Sequence, residues 1–417
     1  MNEGLGGRGA GSAWGERAAW LVALAAVALV LALGQYESRD PDSALYAAIS
    51  SDIAGRPLKE WIVPRWNGLW ALQGLYREHP AGVFLLPAMA ARLGYPSEQA
   101  AYAVNALYQV LTLFLMMALV RHFLTRRDAR VLVTLMLLVP IAFTYRIRAN
   151  QEQPLLMFLL VAFLGIERSR TSLKWAVLST AGLAGLFLVK GVFVAIAIAA
   201  CVAWLAVRQW WWPDEQPRGR PWIGLAIAGV SLLGLAVAYE TAYSSVAGER
   251  FFPWYSARQF GVALATGSAH PVRGALYSFA WYLGRIVWFA APWTVVALIG
   301  CWRGAPRLLQ RGAHRPAGSV RDAARKGAAL AAIVAVTYLV AFSVFERRAD
   351  RYIFPAYYCL AAWWAAYGLR LYPSMRRLAW RATRALYPYE QALVWFCSVL
   401  LALVAASLQL PNIKLWH

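Results

Sequence analysis

Two carboxylates and a phenol stand close together in Arg39-Asp40-Pro41-Asp42-Ser43-Ala44-Leu45-Tyr46. The stretch follows directly on an apolar run, 18–33, that is long enough to cross a bilayer with modest adjustment. A carboxylate fixed just above a membrane can act as a general base on a lipid-linked substrate while its scaffold stays anchored in lipid. Asp40 before Pro41 reads as an N-cap with proline at the first helical position. That predicts a helix over 41–53 with Asp42 in its first turn, where the macrodipole favours negative charge. Capping accounts for Asp40, which leaves Asp42 as the candidate base.

Further charged clusters recur where apolar runs begin or break. They are Arg146-Ile147-Arg148-Ala149-Asn150-Gln151-Glu152, Lys190-Gly191, and Glu346-Arg347-Arg348-Ala349-Asp350-Arg351-Tyr352. A lysine between two apolar runs is costly unless it finds a partner or reaches water. Lys190 therefore reads equally as a snorkelling residue at a hairpin tip and as a ligand. Arginine near a membrane surface suits phosphate, because its guanidinium matches two phosphate oxygens at once. Arg148, Lys190, Arg258 and Arg351 are the candidates for neutralising an anionic group. His79 and His270 are isolated histidines, a type found more often as plain loop residues than as ligands. No cofactor is required; a divalent cation between Asp42 and Glu152 is compatible with the residue types.

The elements that must position these groups are helices in a membrane. The chain has 417 residues, 60% of them hydrophobic, too apolar for a soluble globular protein. We read about eleven spanning segments: 18–33, 101–120, 131–145, 154–166, 173–189, 192–207, 222–239, 277–302, 327–345, 353–369 and 392–408. The apolar stretch 82–93 is shorter and predicts a helix lying at the interface. The fold class is thus all-α and polytopic, with interfacial helices in a long first outer loop, 34–100. The net charge of +21 does not indicate nucleic acid, because the basic residues fall in short loops between apolar runs. Alternate loops, from Arg8 and Arg17 through Arg121, Arg126, Arg127 and Arg130 to the runs within 303–326 and 370–384, carry the larger basic surplus. This bias predicts a cytoplasmic N-terminus, 1–17, and places Asp42, Glu152, Lys190 and Arg351 on the outer face. The basic loops are expected to meet anionic lipid headgroups. Cys201, Cys301, Cys359 and Cys397 lie in or beside apolar segments, which predicts no structural disulfide.

The order of these pieces resembles a family. Pro41-Asp42-Ser43-Ala44-Leu45-Tyr46-Ala47, Glu78-His79-Pro80-Ala81-Gly82-Val83-Phe84, Glu152-Gln153-Pro154-Leu155, Leu188-Val189-Lys190-Gly191 and Arg351-Tyr352-Ile353-Phe354-Pro355 together look like the GT-C membrane glycosyltransferases. The nearest branch is that of the lipid A aminoarabinose transferases and protein O-mannosyltransferases; Pro253-Trp254-Tyr255 and Pro292-Trp293 add weaker support. The resemblance implies a catalytic module over 18–369, followed by a cytoplasmic basic loop and last span within 370–417. It implies sugar transfer from a polyprenyl-phosphate donor to a lipid, glycan or protein acceptor at the outer face of a bacterial inner membrane. In that comparison Asp42 matches the catalytic aspartate and Glu152 a second acidic position beside it. Arg351 and Tyr352 match a pair near the donor phosphate, His79 falls where one branch has a phosphate-binding lysine, and Arg258 is a phosphate ligand by position. Asp40 and Tyr46 belong to the acceptor side. Asp42-Ser43 stands where the family has Asp-Glu, and His79-Pro80-Ala81 where it has Lys-Pro-Pro. A chain ending at His417 is expected to have no long soluble C-terminal domain. A multi-span transporter or flippase, a lipid-linked polysaccharide polymerase or ligase, and a non-catalytic scaffold are the rival readings.

Overall fold

The computed structural model describes residues 41–66, 74–125, 129, 148–212, 219–264, 271–289, 320–345 and 348–359. Asp40, His270 and the expected spans 18–33, 131–145 and 392–408 lie outside the described residues. Among the described residues the regular structure is helical, with one isolated bridge between Arg65 and Leu75 and no strand.

The helices are α1 (Pro41–Ala54), α2 (Gly82–Arg92), α3 (Ser97–Val120), α4 (Glu152–Ser169), α5 (Ala176–Lys190), α6 (Val194–Trp211), α7 (Gly219–Ala247), α8 (Phe252–Leu264), α9 (Pro271–Phe289) and α10 (Val320–Ser343). Among the described residues four stretches are long and apolar enough to cross a membrane: Gln99–Val120, Leu173–Trp211, Gly219–Ala247 and Asp322–Ser343. α1 covers the helix expected over 41–53 and carries Asp42 in its first turn. α2 occupies the expected short apolar stretch. It buries Val83, Phe84 and Ala88 and leaves Leu86 and Met89 exposed.

α4 is the centre of the bundle and packs on α3, α5 and α7. Its contact with α5 is built on small residues: a Cβ added to Gly182 would run into the Ala162 backbone. Two membrane helices can then approach backbone to backbone, and dispersion across that close contact replaces the hydrophobic drive that lipid does not supply.

Leu173–Trp211 is not one span but two. α5 ends at Lys190, Gly191 takes a positive φ of 59°, and a short 3₁₀ turn, Gly191–Phe193, leads into α6. The chain has reversed by the end of α6, because Arg208 there pairs with Glu167 near the C-terminus of α4, beside the start of α5. The break predicted at Lys190-Gly191 is therefore a hairpin. The bundle consequently has two polar ends. One gathers the starts of α1 and α4 and the α5–α6 turn; the other gathers the ends of α4 and α6 and the start of α10.

Candidate active site

Asp42 is in contact with Arg351 as an ion pair, although the two residues lie near opposite ends of the described chain. Their side chains are 37% and 29% exposed, so the pair opens to solvent on one side. Arg351 belongs to a 3₁₀ turn, Asp350–Ile353, whose next residue, Tyr352, stacks on Phe342 of α10 at 5.2 Å. The Lys190 ammonium stands 5.5 Å from the centre of the Tyr352 ring and 5.5 Å from that of Phe193. Lys190 is only 5% exposed, so it does not snorkel to water as a hairpin-tip lysine would. Its charge is met by the π faces of two rings and by Glu152, which lies within electrostatic range.

Glu152 opens α4 and is buried. The segment before it is tied to α1: the Ala149 N–H donates to Ser43 Oγ at 2.9 Å, and Gln151 Nε2 donates to Tyr46 Oη at 2.7 Å. Ser43 thus takes a structural bond where the resembled family has its second carboxylate. The Arg148 carbonyl accepts a hydrogen bond from Asn105 Nδ2 of α3, which fixes the backbone just before Glu152.

His79 is half-buried, and its buried Nδ1 has no hydrogen-bond partner. Burial, and secondarily the Lys190 charge, push its pKa well below the ordinary histidine value, so the ring is neutral at pH 7. Burial likewise pushes the Tyr46 and Tyr76 phenols up. Neighbouring Tyr76, Glu152 and Glu78 add to the rise at Tyr46, which keeps its hydroxyl protonated. Arg258 pairs with Glu78 at 3.0 Å, and its neighbour Gln259 donates to the Glu78 carbonyl at 2.8 Å.

The structure therefore brings Asp42, Tyr46, His79, Glu152, Lys190, Arg351 and Tyr352 to one end of the bundle. Arg258 reaches it through Glu78. Arg148 contributes its backbone to the frame. Tyr76, Glu78, Gln151 and Tyr255 were not singled out from the sequence. The last three lie within or beside motifs quoted for the resemblance, whereas nothing marks Tyr76. Among the described residues no three His, Cys, Asp or Glu side chains gather as a metal cluster, and the Asp42 carboxylate is engaged by Arg351. The described donors form no dedicated metal cage, and no step below runs through a metal.

Solved structures share this arrangement of helices. ArnT from Cupriavidus metallidurans bound to undecaprenyl phosphate superposes with a TM-score of 0.65 at 19% identity, over 94% of this chain and 72% of that one. The fold is that of the GT-C glycosyltransferases. The apo form of ArnT superposes with a TM-score of 0.60 at 20% identity, over 84% of this chain and 59% of its own. The archaeal oligosaccharyltransferase AglB from Archaeoglobus fulgidus, in complex with an inhibitory peptide and a dolichol-phosphate, gives 0.51 at 12% identity, over 93% and 55%. The family model for dolichyl-phosphate-mannose-protein mannosyltransferases matches residues 78–236, which run from Glu78 through most of α7. A comparison with curated proteins finds no match. Within the GT-C fold, the matched stretch holds Glu78, His79, Glu152 and Lys190, while Asp42, Arg258 and Arg351 lie outside it.

Proposed function

We propose that this GT-C-fold protein transfers a sugar from a polyprenyl-phosphate donor to an acceptor hydroxyl at the outer face of the inner membrane. One observation carries the reading: Asp42, paired with Arg351, shares one end of the bundle with the buried Lys190 and Glu152. A base beside cations is the pairing that such a displacement needs.

The acceptor oxygen attacks the anomeric carbon as the carbon–oxygen bond to phosphate breaks, and the bonding pair leaves with the phosphate. The leaving group is already an anion, so it needs charge neutralisation more than protonation. Lys190 and Arg351 supply that charge, and Arg258 contributes from beside Glu78. Arg351 has a double role. It holds Asp42 at rest, and turning toward the donor phosphate releases the carboxylate to take the acceptor's proton. Tyr352, next to both cations, orients them through its ring. His79, neutral, offers a hydrogen bond without adding charge, and Tyr46 and Glu152 shape the acceptor side. A single displacement inverts the anomeric centre and forms no covalent enzyme intermediate.

The test is binding and turnover by the purified protein in nanodiscs with a panel of polyprenyl-phosphate sugars. Asp42→Asn should bind the donor as the wild type does and lose about 10²- to 10⁴-fold in turnover. The product should carry the inverted anomeric configuration by NMR. If no prenyl phosphate binds, the reading fails and a transporter becomes the better account.

A further inference from the structure

Lys190 ends one helix and Val192 lies within the turn into the next, so the Lys190 carbonyl and the Val192 N–H fall outside the regular ladder of either α-helix. One side chain from elsewhere meets both. Tyr255 Oη donates to the Lys190 carbonyl at 2.8 Å and accepts from the Val192 N–H at 3.0 Å. Gly191 between them sits at positive φ, and a Cβ there would run into the Tyr255 hydroxyl. Tyr255 is fully buried, and its ring stacks on Phe251 at 5.1 Å.

Tyr255 lies on α8, and that helix makes a second attachment. Three and four residues on, Arg258 pairs with the Glu78 carboxylate and Gln259 holds the Glu78 carbonyl. Spacings of three and four put these groups on one face. The start of α8 is itself fixed, because the Glu240 carboxylate of α7 accepts from the Phe251 and Phe252 N–H groups at 3.2 and 2.9 Å. α8 thus grips the α5–α6 turn and the Glu78-His79 stretch together.

We infer that Tyr255 is a positioning residue: by closing the α5–α6 turn it sets where the Lys190 ammonium stands to receive a lipid-linked phosphate, with α8 keeping Lys190 and His79 in one register. The inference rests on the reading of Lys190 as a donor-phosphate ligand. Tyr255 touches the lysine's backbone and not the phosphate, so its removal weakens selection of the anion and spares the apolar part of the ligand.

The test compares binding of undecaprenyl phosphate and of undecaprenol, which lacks the phosphate, to the full chain in nanodiscs by native mass spectrometry. The wild type should prefer the phosphate. Tyr255→Phe should bind undecaprenyl phosphate about tenfold more weakly, since the buried Lys190 carbonyl and the half-buried Val192 N–H lose that partner, and undecaprenol unchanged. Lys190→Met should lose the preference, and the double variant should be no weaker than Lys190→Met alone. The inference is overturned if Tyr255→Phe discriminates as well as the wild type, if it loses both lipids equally, or if the two substitutions add. A wild type that binds both lipids alike overturns the donor reading itself and the inference with it. A discriminating wild type beside an equally discriminating Tyr255→Phe overturns the inference alone.

Discussion

The two polar ends of the bundle use charge in opposite ways. At the end where α4 and α6 finish, two of the described carboxylates are each held by an indole and a cation. Glu167 accepts from Trp204 Nε1 at 2.6 Å and pairs with Arg208, whose guanidinium also lies over the Trp204 ring. Asp322 accepts from Trp212 Nε1 at 2.7 Å and pairs with Lys326. At the other end the same residue types are left open to rearrangement. Asp42 and Arg351 face partly outward, Lys190 is met by rings instead of a close carboxylate, and His79 Nδ1 has no partner. A closed network fixes helix against helix. Groups held together but incompletely paired retain the capacity to bind something else, and that is why ionisable residues of this kind mark functional sites.

Single substitutions separate the two uses. Asp42→Asn should cost the turnover stated above while changing unfolding stability by less than about 1 kcal/mol, since its pair is partly exposed. Arg208→Met should do the reverse. It strands the Glu167 carboxylate, 3% exposed, without its cation, and loss of one partner of a buried pair costs about 3–5 kcal/mol. Denaturation in detergent should show the loss, and whatever protein remains folded should bind prenyl phosphate normally. A folded Arg208→Met with poor donor binding would break the division between the two ends.

The sequence made some of this legible, for identifiable reasons. Asp42 could be placed in a first helical turn because Asp-Pro is a local start signal, and local signals need no knowledge of the fold. Lys190 stood out because a charge within an apolar stretch is conspicuous. The partners were not legible. Arg351 meets Asp42, and Tyr255 meets Lys190, only after several helices have folded, and nothing local encodes such contacts. Tyr255 looks like any interfacial aromatic until its hydroxyl is found between a carbonyl and an amide. Arg208 stands just past the expected span 192–207, where a basic residue reads as one that sets topology from a loop, yet the structure turns it inward onto Glu167. A residue at a helix end can face either way, and only the neighbouring helix decides.

A smaller effect sharpens the same contrast. Trp204→Phe keeps the edge-to-face contact with Phe123 but removes the indole donor from Glu167. Arg208 still holds the other oxygen, so the expected loss of stability is about 1–3 kcal/mol, below that of Arg208→Met. Chemical denaturation of the two variants and their double measures the coupling. Full additivity would mean that the indole and the guanidinium do not act as one network.

The smallest effect concerns the open end and depends on pH. His79 has a folded-state pKa well below the ordinary value, because burial and then the Lys190 charge oppose protonation. Below about pH 6.5 the unfolded chain takes up a proton at this residue while the folded chain does not. The unfolded state then binds more protons, so stability rises with pH in this window and falls as pH drops from about 6.5 toward the folded pKa. One group gives a slope of at most about 1.4 kcal/mol per pH unit. His79→Gln should flatten the profile by that amount between about pH 6.5 and 5 and leave it unchanged above pH 7.5. The measurement is the difference in unfolding free energy between variant and wild type in detergent across that range, so that the titration of every other group cancels. An unchanged slope would mean that His79 takes up its proton as readily when folded as when unfolded. The ring would then enter the site as a cation at mildly acidic pH, and its place would be among the phosphate ligands beside Lys190 and Arg351.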